Sequence, residues 1–174
     1  MLPAGLCNGG RALELFIMPS HLDASVTLKK VREFAAEAVD EVRQFRGELT
    51  IYIRADHLRR VGEFLRDEPE LTFKFLADVT AVDLYPSEPR FEVVYHLLSF
   101  QNQERLRLKV RIRGENPSVD SLVPVYPGAN AFEREVFDLF GIQFAGHPYL
   151  RRILMPEEWE GHPLRKDYPT EGYR

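Results

Sequence analysis

Only one cysteine, Cys7, occurs in the 174 residues of this chain. A single thiol excludes an internal disulfide and supplies no cysteine cage for zinc or an iron-sulfur cluster, which fits a reducing compartment. No run approaches the roughly 20 apolar residues needed to cross a bilayer, so membrane association must go through partners or surface contacts. A basic excess is missing too. Against 23 basic residues stand 27 acidic ones, without the positive balance expected of a nucleic-acid binder. The first twenty residues lack a basic leader and a long apolar stretch, which argues against a secretory signal. Residues 1–24 therefore read as an N-terminal segment apart from the fold, with Met18 as an alternative start that would leave residues 1–17 outside the protein.

Motifs for chemistry are equally scarce. No GxGxxG follows a strand, and there is no Walker loop, serine elbow or Cys/His pair, so nucleotide binding and nucleophilic catalysis lack support. The histidines, His21, His57, His96, His147 and His162, never fall three or four apart, so no metal site is expected. Asp78 and Asp83 are candidates for paired carboxylates, with turn and sheet-edge roles as the plainer reading.

What is present is enough for one domain and a tail: 44% apolar residues, 11% aromatics and a length that supports a sizeable core. Leu28, Val31, Ala35, Ala38, Val42 and Phe45 recur at steps of three and four, which predicts a helix between a Thr27 cap and a C-terminal Gly47. Glu48 to Ile53 alternates and is rich in β-branched residues, a short strand. A second helix is predicted from an Asp56 cap to Asp67, with Leu58, Val61, Phe64 and Leu65 as its buried stripe. Phe73 to Leu84, Arg90 to Phe100 and Glu104 to Arg113 read as three strands of a meander. If Gln101-Asn102 turns the last two, paired positions sum to 203, setting Leu97 opposite Leu106, Tyr95 opposite Leu108, Val93 opposite Val110 and Glu92 beside Arg111.

These elements predict an α+β fold, a small, mostly antiparallel sheet packed with helices and followed by an extended C-terminal docking strap. Residues 25–115 form the α+β domain in this reading; residues 116–174 form a connection, a short helix and the extension. Arg105, Arg107, Lys109, Arg111 and Arg113 would line one strand face for about 27 Å. An exposed sheet face or guarded edge explains them; an acidic protein or RNA is the alternative ligand.

From Glu133 to Tyr168 the sequence packs charges, aromatics and Gly/Pro breaks too densely for a periodic element, yet is too aromatic for disorder. Asn130 and Glu133 have capping-box spacing, Arg134 and Asp138 are spaced for an i,i+4 ion pair, and Gly141-Ile142 suits a helix stop. Glu135 and the later Arg151, Arg152, Arg165 and Lys166 have no evident local partners, which suggests pairing between subunits. His147-Pro148 and His162-Pro163 each follow a glycine, Gly146 or Gly161, and each precedes a basic pair. Proline fixes extended geometry there and lowers the entropy lost on capture in a groove.

At these residues the chain resembles the C subunit of respiratory NADH-quinone oxidoreductase, the complex I family that includes the J subunit of chloroplasts and cyanobacteria. The signature is carried by Glu133-Arg134-Glu135-Val136-Phe137-Asp138-Leu139-Phe140-Gly141-Ile142, Gly146-His147-Pro148, Leu150-Arg151-Arg152-Ile153, Pro156, Trp159 and Gly161-His162-Pro163-Leu164-Arg165-Lys166-Asp167-Tyr168-Pro169. Looser similarity spans Leu28 to Pro169. Ala131 stands where the family commonly has tryptophan, and Tyr149 where an acidic or amide residue is usual.

The resemblance implies a structural subunit without cofactors in a proton-translocating, membrane-attached enzyme. NADH, FMN, iron-sulfur clusters and quinone would belong to other subunits. The strap would hold the quinone-site subunit of complex I, called D, with the B and I subunits nearby, peripheral to the cell inner membrane on its cytoplasmic side. No nucleic acid and no catalytic residue on this chain are implied, nor is the fused C-D form. A ferredoxin- or deazaflavin-dependent relative would use the same scaffold.

Overall fold

The computed structural model describes residues 25–172. The N-terminal segment and its Met18 start lie outside the described residues. Helix α1 (Val26–Ala35) leads through a single 3-10 turn into β1 (Val39–Phe45) and β2 (Glu48–Ile53), followed by α2 (Leu58–Asp67), β3 (Phe75–Asp83), β4 (Phe91–Ser99) and β5 (Glu104–Ile112). Then come β6 (Ser118–Asp120), α3 (Ala129–Phe140) and β7 (Gln143–Ala145). Five strands form one sheet in the order β1-β2-β5-β4-β3, and β6 pairs with β7 in a second, small one. All contacts in the large sheet are antiparallel except β2 with β5. The architecture is the α+β arrangement expected.

The helix expected to run to Gly47 stops at Ala35, and its second half is the edge strand β1. The three-and-four spacing is real through Ala35, where Leu28, Val31 and Ala35 are buried. Beyond it, Arg46 and Gly47 both adopt left-handed φ, 51° and 83°, the two-residue turn that suits a twisted hairpin. Pairing along β2 then satisfies backbone groups that a longer helix would have taken, leaving Phe45 exposed. Gly47 is thus a left-handed glycine, in a hairpin and not behind a helix. Ser25, not Thr27, caps α1. Thr27 is buried and donates to both oxygens of Glu104 at 3.0 Å, tying α1 to β5.

The second helix begins at Leu58 after a 3-10 turn, and Asp56 bonds Arg54 instead of capping it. Its stripe of Leu58, Val61 and Leu65 is buried, while Phe64 is only partly covered and stacks on Phe34 of α1 at 4.1 Å. The β4–β5 register holds at every expected pair, from Leu97 with Leu106 to Glu92 with Arg111, although the turn spans four residues, Phe100 to Gln103.

One sheet face carries Leu49, Ile51, Ile53, Val93, Tyr95, Leu97, Leu106, Leu108 and Val110 beneath the helices. The same core continues past Asn116 through Val119, Leu122, Val136, Phe140, Ile142 and Phe144. On the opposite face the basic residues of β5 meet carboxylates of the neighbouring strands: Arg107 with Glu48, Lys109 with Glu92 at 2.7 Å, and Arg111 with Glu41 at 2.7 Å. This is a paired sheet face, with Arg105 and Arg113 at its two ends.

Candidate docking site

Residues 146–172 contain no helix or strand, so their backbone groups must be satisfied elsewhere. Much of the answer lies at the end of α3. The last carbonyls of a helix have no partner within it, and here each of the final four is met. Gly141 N–H donates to Phe137 O at 2.8 Å. His162 Nδ1 donates to Asp138 O at 2.9 Å, Leu164 N–H to Leu139 O at 3.1 Å, and Arg165 Nε to Phe140 O at 2.6 Å. The two guanidinium groups of Arg152 and Arg165 sit at the negative end of the helix dipole, where cations are stabilising.

Gly141 makes that approach possible. Its φ is +72°, and a Cβ there would lie 2.4 Å from His162 Nε2 and 2.5 Å from Arg165 Nη2. Both the left-handed conformation and the space require glycine.

Asp138 organises the first half of the strap. Its side chain is fully buried; Oδ1 accepts from Arg152 Nη1 at 2.6 Å, and Oδ2 accepts the N–H groups of Ile153, Leu154 and Met155 at 3.0, 2.8 and 2.8 Å. Burial alone would push the carboxyl up; the Met155 amide, Arg152 and the other two amides outweigh it and hold it below its ordinary value. Arg152 also donates to Trp159 O at 2.9 Å and Gly161 O at 3.0 Å. The expected Arg134–Asp138 ion pair does not form: Arg134 turns instead to the carbonyls of Arg151 and Arg152, at 3.2 and 3.0 Å.

A second hub closes the far end. Arg90 binds Asp83 through two hydrogen bonds of 3.0 and 2.8 Å and Asp167 through two more of 3.0 and 2.6 Å, while Lys166 N–H donates to Asp83 Oδ2 at 2.9 Å. Burial raises the Asp83 carboxyl, but Arg90 and the Lys166 and Tyr85 amides overcome it and bring the group down to about 2. Asp83 is therefore an anchor for the strap and not half of a carboxylate pair with Asp78.

Glu133 differs from the capping role expected of it. α3 opens at Ala129, with no side-chain cap, and Asn130 lies inside its first turn. Glu133 points inward, fully buried, accepting from Ser121 Oγ at 2.6 Å and Leu122 N–H at 2.7 Å. Burial pushes its carboxyl up to about 7 against the pull of those two donors, and no described cation pairs with it. It binds the loop after β6 to α3. Local spacing carries no sign of this, because both partners come from a distant loop.

The remaining signature residues divide into two groups. His147 accepts from Tyr149 N–H through Nδ1 at 3.0 Å and faces Asn130 O through Nε2 at 3.2 Å, which sets the Nε2–H tautomer. Burial lowers the pKa of the His162 ring below the ordinary imidazole value. Gly146 and Gly161 turn the chain at φ of 79° and 76°, and Phe140 is buried in the core. Facing outward are Glu135, Arg151 over the Tyr149 ring at 4.1 Å, and the side chains of Tyr149, Ile153, Leu154, Trp159 and Leu164. Pro148 and Pro163 lie at the two His-Pro steps, Pro163 half-buried, and Tyr168 donates to Glu160 O at 3.4 Å. Among the described residues no group of three or more His, Cys, Asp or Glu side chains is placed to hold a metal, and no helix is long and apolar enough to cross a membrane.

The strap thus caps α3 and leaves apolar side chains facing solvent, and comparison with known proteins identifies the class. The sequence model of the family described as "Respiratory-chain NADH dehydrogenase, 30 Kd subunit" matches residues 51–174, and the chain belongs to this family. It is 54% identical over 148 residues to the C subunit of the NADH-quinone oxidoreductase of Roseiflexus sp. (strain RS-1), with 85% of each chain covered. With the corresponding C subunit of Geotalea uraniireducens it shares 46% over 143 residues, covering 82% of this chain and 86% of that one. Among solved structures, a trypsin-resistant fragment (1-134) of Nqo5 superposes with a TM-score of 0.59 at 30% identity, over 71% of this chain and 99% of the fragment. A chain of an archaeal respiratory membrane complex, the membrane-bound sulfane sulfur reductase, gives 0.67 at 32% identity, over 82% of this chain and 84% of that one.

Proposed function

We propose that this chain is a cofactor-free structural subunit of a proton-translocating NADH-quinone oxidoreductase and holds the quinone-site D subunit with the outer surface of its strap. The observation that carries this reading is the orientation of the strap. Its polar backbone is turned in against α3 and β3, while Tyr149, Ile153, Leu154, Trp159 and Leu164 are turned out, 39 to 59% exposed. Contiguous exposed apolar residues with a polar rim mark protein interfaces. Electrons would pass from NADH through FMN and the iron-sulfur clusters of other subunits to quinone, with the B and I subunits beside this one and the assembly on the cytoplasmic side of the inner membrane. The paired sheet face speaks against the RNA-binding alternative, because most of its cations are already engaged.

Affinity purification of the tagged chain from its native membranes is expected to bring down the D, B and I subunits; recovery of the chain without them rejects the reading. Leu154→Asp places a charge on the outer face and is expected to weaken association with the D subunit at least tenfold. A second reading has one supporting observation. The chain is also similar to one from an archaeal sulfane sulfur reductase, a respiratory complex of another kind, so a ferredoxin- or deazaflavin-linked enzyme would house the same scaffold equally well. The NADH-binding subunits, present or missing in the same purified complex, discriminate the two.

A further inference from the structure

The strap's three arginines differ in what they hold. Arg152 is engaged with Asp138 and with the carbonyls of Trp159 and Gly161, and Arg165 donates to Phe140 O. Arg151 is exposed and lies over the Tyr149 ring, 4.1 Å from its centre, and its guanidinium makes no hydrogen bond or ion pair among the described residues. We propose that Arg151, positioned by Tyr149, is the docking cation of the strap and takes an aspartate or glutamate carboxylate of the neighbouring subunit, a proposal that rests on the strap being the docking element.

The backbone on both sides of this stack is fixed. Tyr149 N–H donates to His147 Nδ1 at 3.0 Å, and His147 Nε2 donates to Asn130 O at 3.2 Å, at the start of α3. Arg134 donates through Nε to Arg151 O at 3.2 Å and through Nη2 to Arg152 O at 3.0 Å, and its own guanidinium lies 5.6 Å from the Tyr149 ring centre. Cation–π attraction to a ring held this way restricts Arg151 before anything binds, which lowers the entropy lost on docking. The N–H donors of a guanidinium lie in its own plane, so a ring against its face leaves them available as the fork that fits a carboxylate.

Elsewhere in the chain a carboxylate completes such a stack. Arg111 lies 4.0 Å from the Tyr52 ring centre and bonds Glu41 at 2.7 Å. Arg90 lies 4.9 Å from the Phe91 ring centre and bonds Asp83 at 2.8 Å, and Arg60 lies 4.7 Å from that of Phe34 and bonds Glu37 at 3.3 Å. Arg46 on Phe45 lacks a carboxylate too, but its ring is the preceding side chain in an exposed turn.

Position sets the charge of what binds. Tyr149, Ile153 and Leu154, 51, 41 and 59% exposed, lie beside Arg151 in the chain, so a subunit seated on them also takes water from the guanidinium. A charge that loses water without gaining a counter-charge is strongly unfavourable, so the covering surface must bring an anion. Arg151 is one unpaired guanidinium among apolar groups, not the cluster of about four or more basic residues that holds an anionic membrane surface. A single side-chain carboxylate matches it.

The test uses the full chain in its assembled complex. Arg151→Met keeps an apolar stem on the ring and should melt as wild type, because the guanidinium bonds nothing within the chain. Release of the chain is followed against NaCl concentration. Retention about tenfold weaker at low salt, with a flatter salt dependence, is expected; a release curve that overlays wild type overturns the proposal. Tyr149→Phe should be retained as wild type and Tyr149→Leu more weakly, and Tyr149→Leu should add nothing in the Arg151→Met background. Losses that simply add would show that Tyr149 acts by its own apolar contact and does not position Arg151. Arg151→Lys supplies an amine that a carbodiimide couples only to a carboxylate in contact with it. Mass spectrometry should find that amide bond to an aspartate or glutamate of another subunit; a bond to Glu135 or another acid of this chain overturns the proposal. Leu154→Asp tests the strap reading separately: a complex that tolerates Arg151→Met but releases Leu154→Asp keeps the apolar docking face and rejects the docking cation.

Discussion

Leu49, Ile51, Tyr95, Leu97, Leu106 and Leu108 in the sheet are covered by apolar neighbours, whereas the strap is held by Asp138, Asp83, Arg152 and Arg90 with few buried apolar side chains. The two regions teach different lessons about cohesion. Apolar burial is non-directional and tolerates small shifts. Charge-assisted hydrogen bonds are directional and, once one partner is removed, leave the other stranded. The sheet should therefore yield gradually to substitution, and the strap abruptly.

Gly141→Ala should break the contrast most strongly, because the left-handed turn and the overlap with His162 and Arg165 act together. A loss on the order of 4 kcal/mol is expected in urea unfolding, and hydrogen exchange should show the strap released first. Arg152→Ala comes next, at about 3 kcal/mol, since it leaves Asp138 buried with its charge uncompensated. Amides of Ile153, Leu154 and Met155 should lose protection while those of the β4–β5 hairpin keep theirs; equal loss in both would show that strap and sheet are one cooperative unit.

pH sharpens the comparison further, because the anchors of the strap and of the loop after β6 titrate in opposite directions. Asp83 has its folded pKa lowered from 3.8 to about 2, so its contribution is present above 3.8 and is lost as pH falls toward 2. Protection of the Lys166 amide should fade in that window, at a cost of about 2 kcal/mol. Glu133 has its folded pKa raised from 4.5 to about 7, so its contribution is full below 4.5 and is lost as pH rises toward 7. Glu133→Gln should flatten the stability profile between those values, measured by thermal melting. The smallest effect is expected at the sheet face: Arg107→Ala removes a solvent-screened pair and should change stability by about 0.5 kcal/mol or less.

The same contrast governs what could be read from sequence. Alternation in β4 and β5 sets their register, because a strand's two faces repeat every second residue. The stripe of α2 is legible for a like reason. Helical spacing misleads between Ala36 and Phe45, where pairing with β2 through the Arg46-Gly47 turn outweighs local periodicity. In the strap, the signature residues point to the family, but their contacts do not follow from spacing. Asp138 reaches residues 14 to 17 positions away, and Asp83 meets Lys166 across 83. Arg134 and Asp138 have the right separation for a pair, yet each finds a better-placed partner in the returning chain. Glu133 likewise has capping-box spacing and gives up that role for a buried serine and amide.

The capping of α3 by residues that follow it also imposes an order on synthesis. Phe140 leaves the ribosome more than twenty residues before His162, Leu164 and Arg165, so the helix is made with its last carbonyls open to water. Its final turn is completed only when the strap arrives. A nascent or truncated chain ending before Leu164 would carry an unfinished helix end, with the carbonyls of Leu139 and Phe140 left to water.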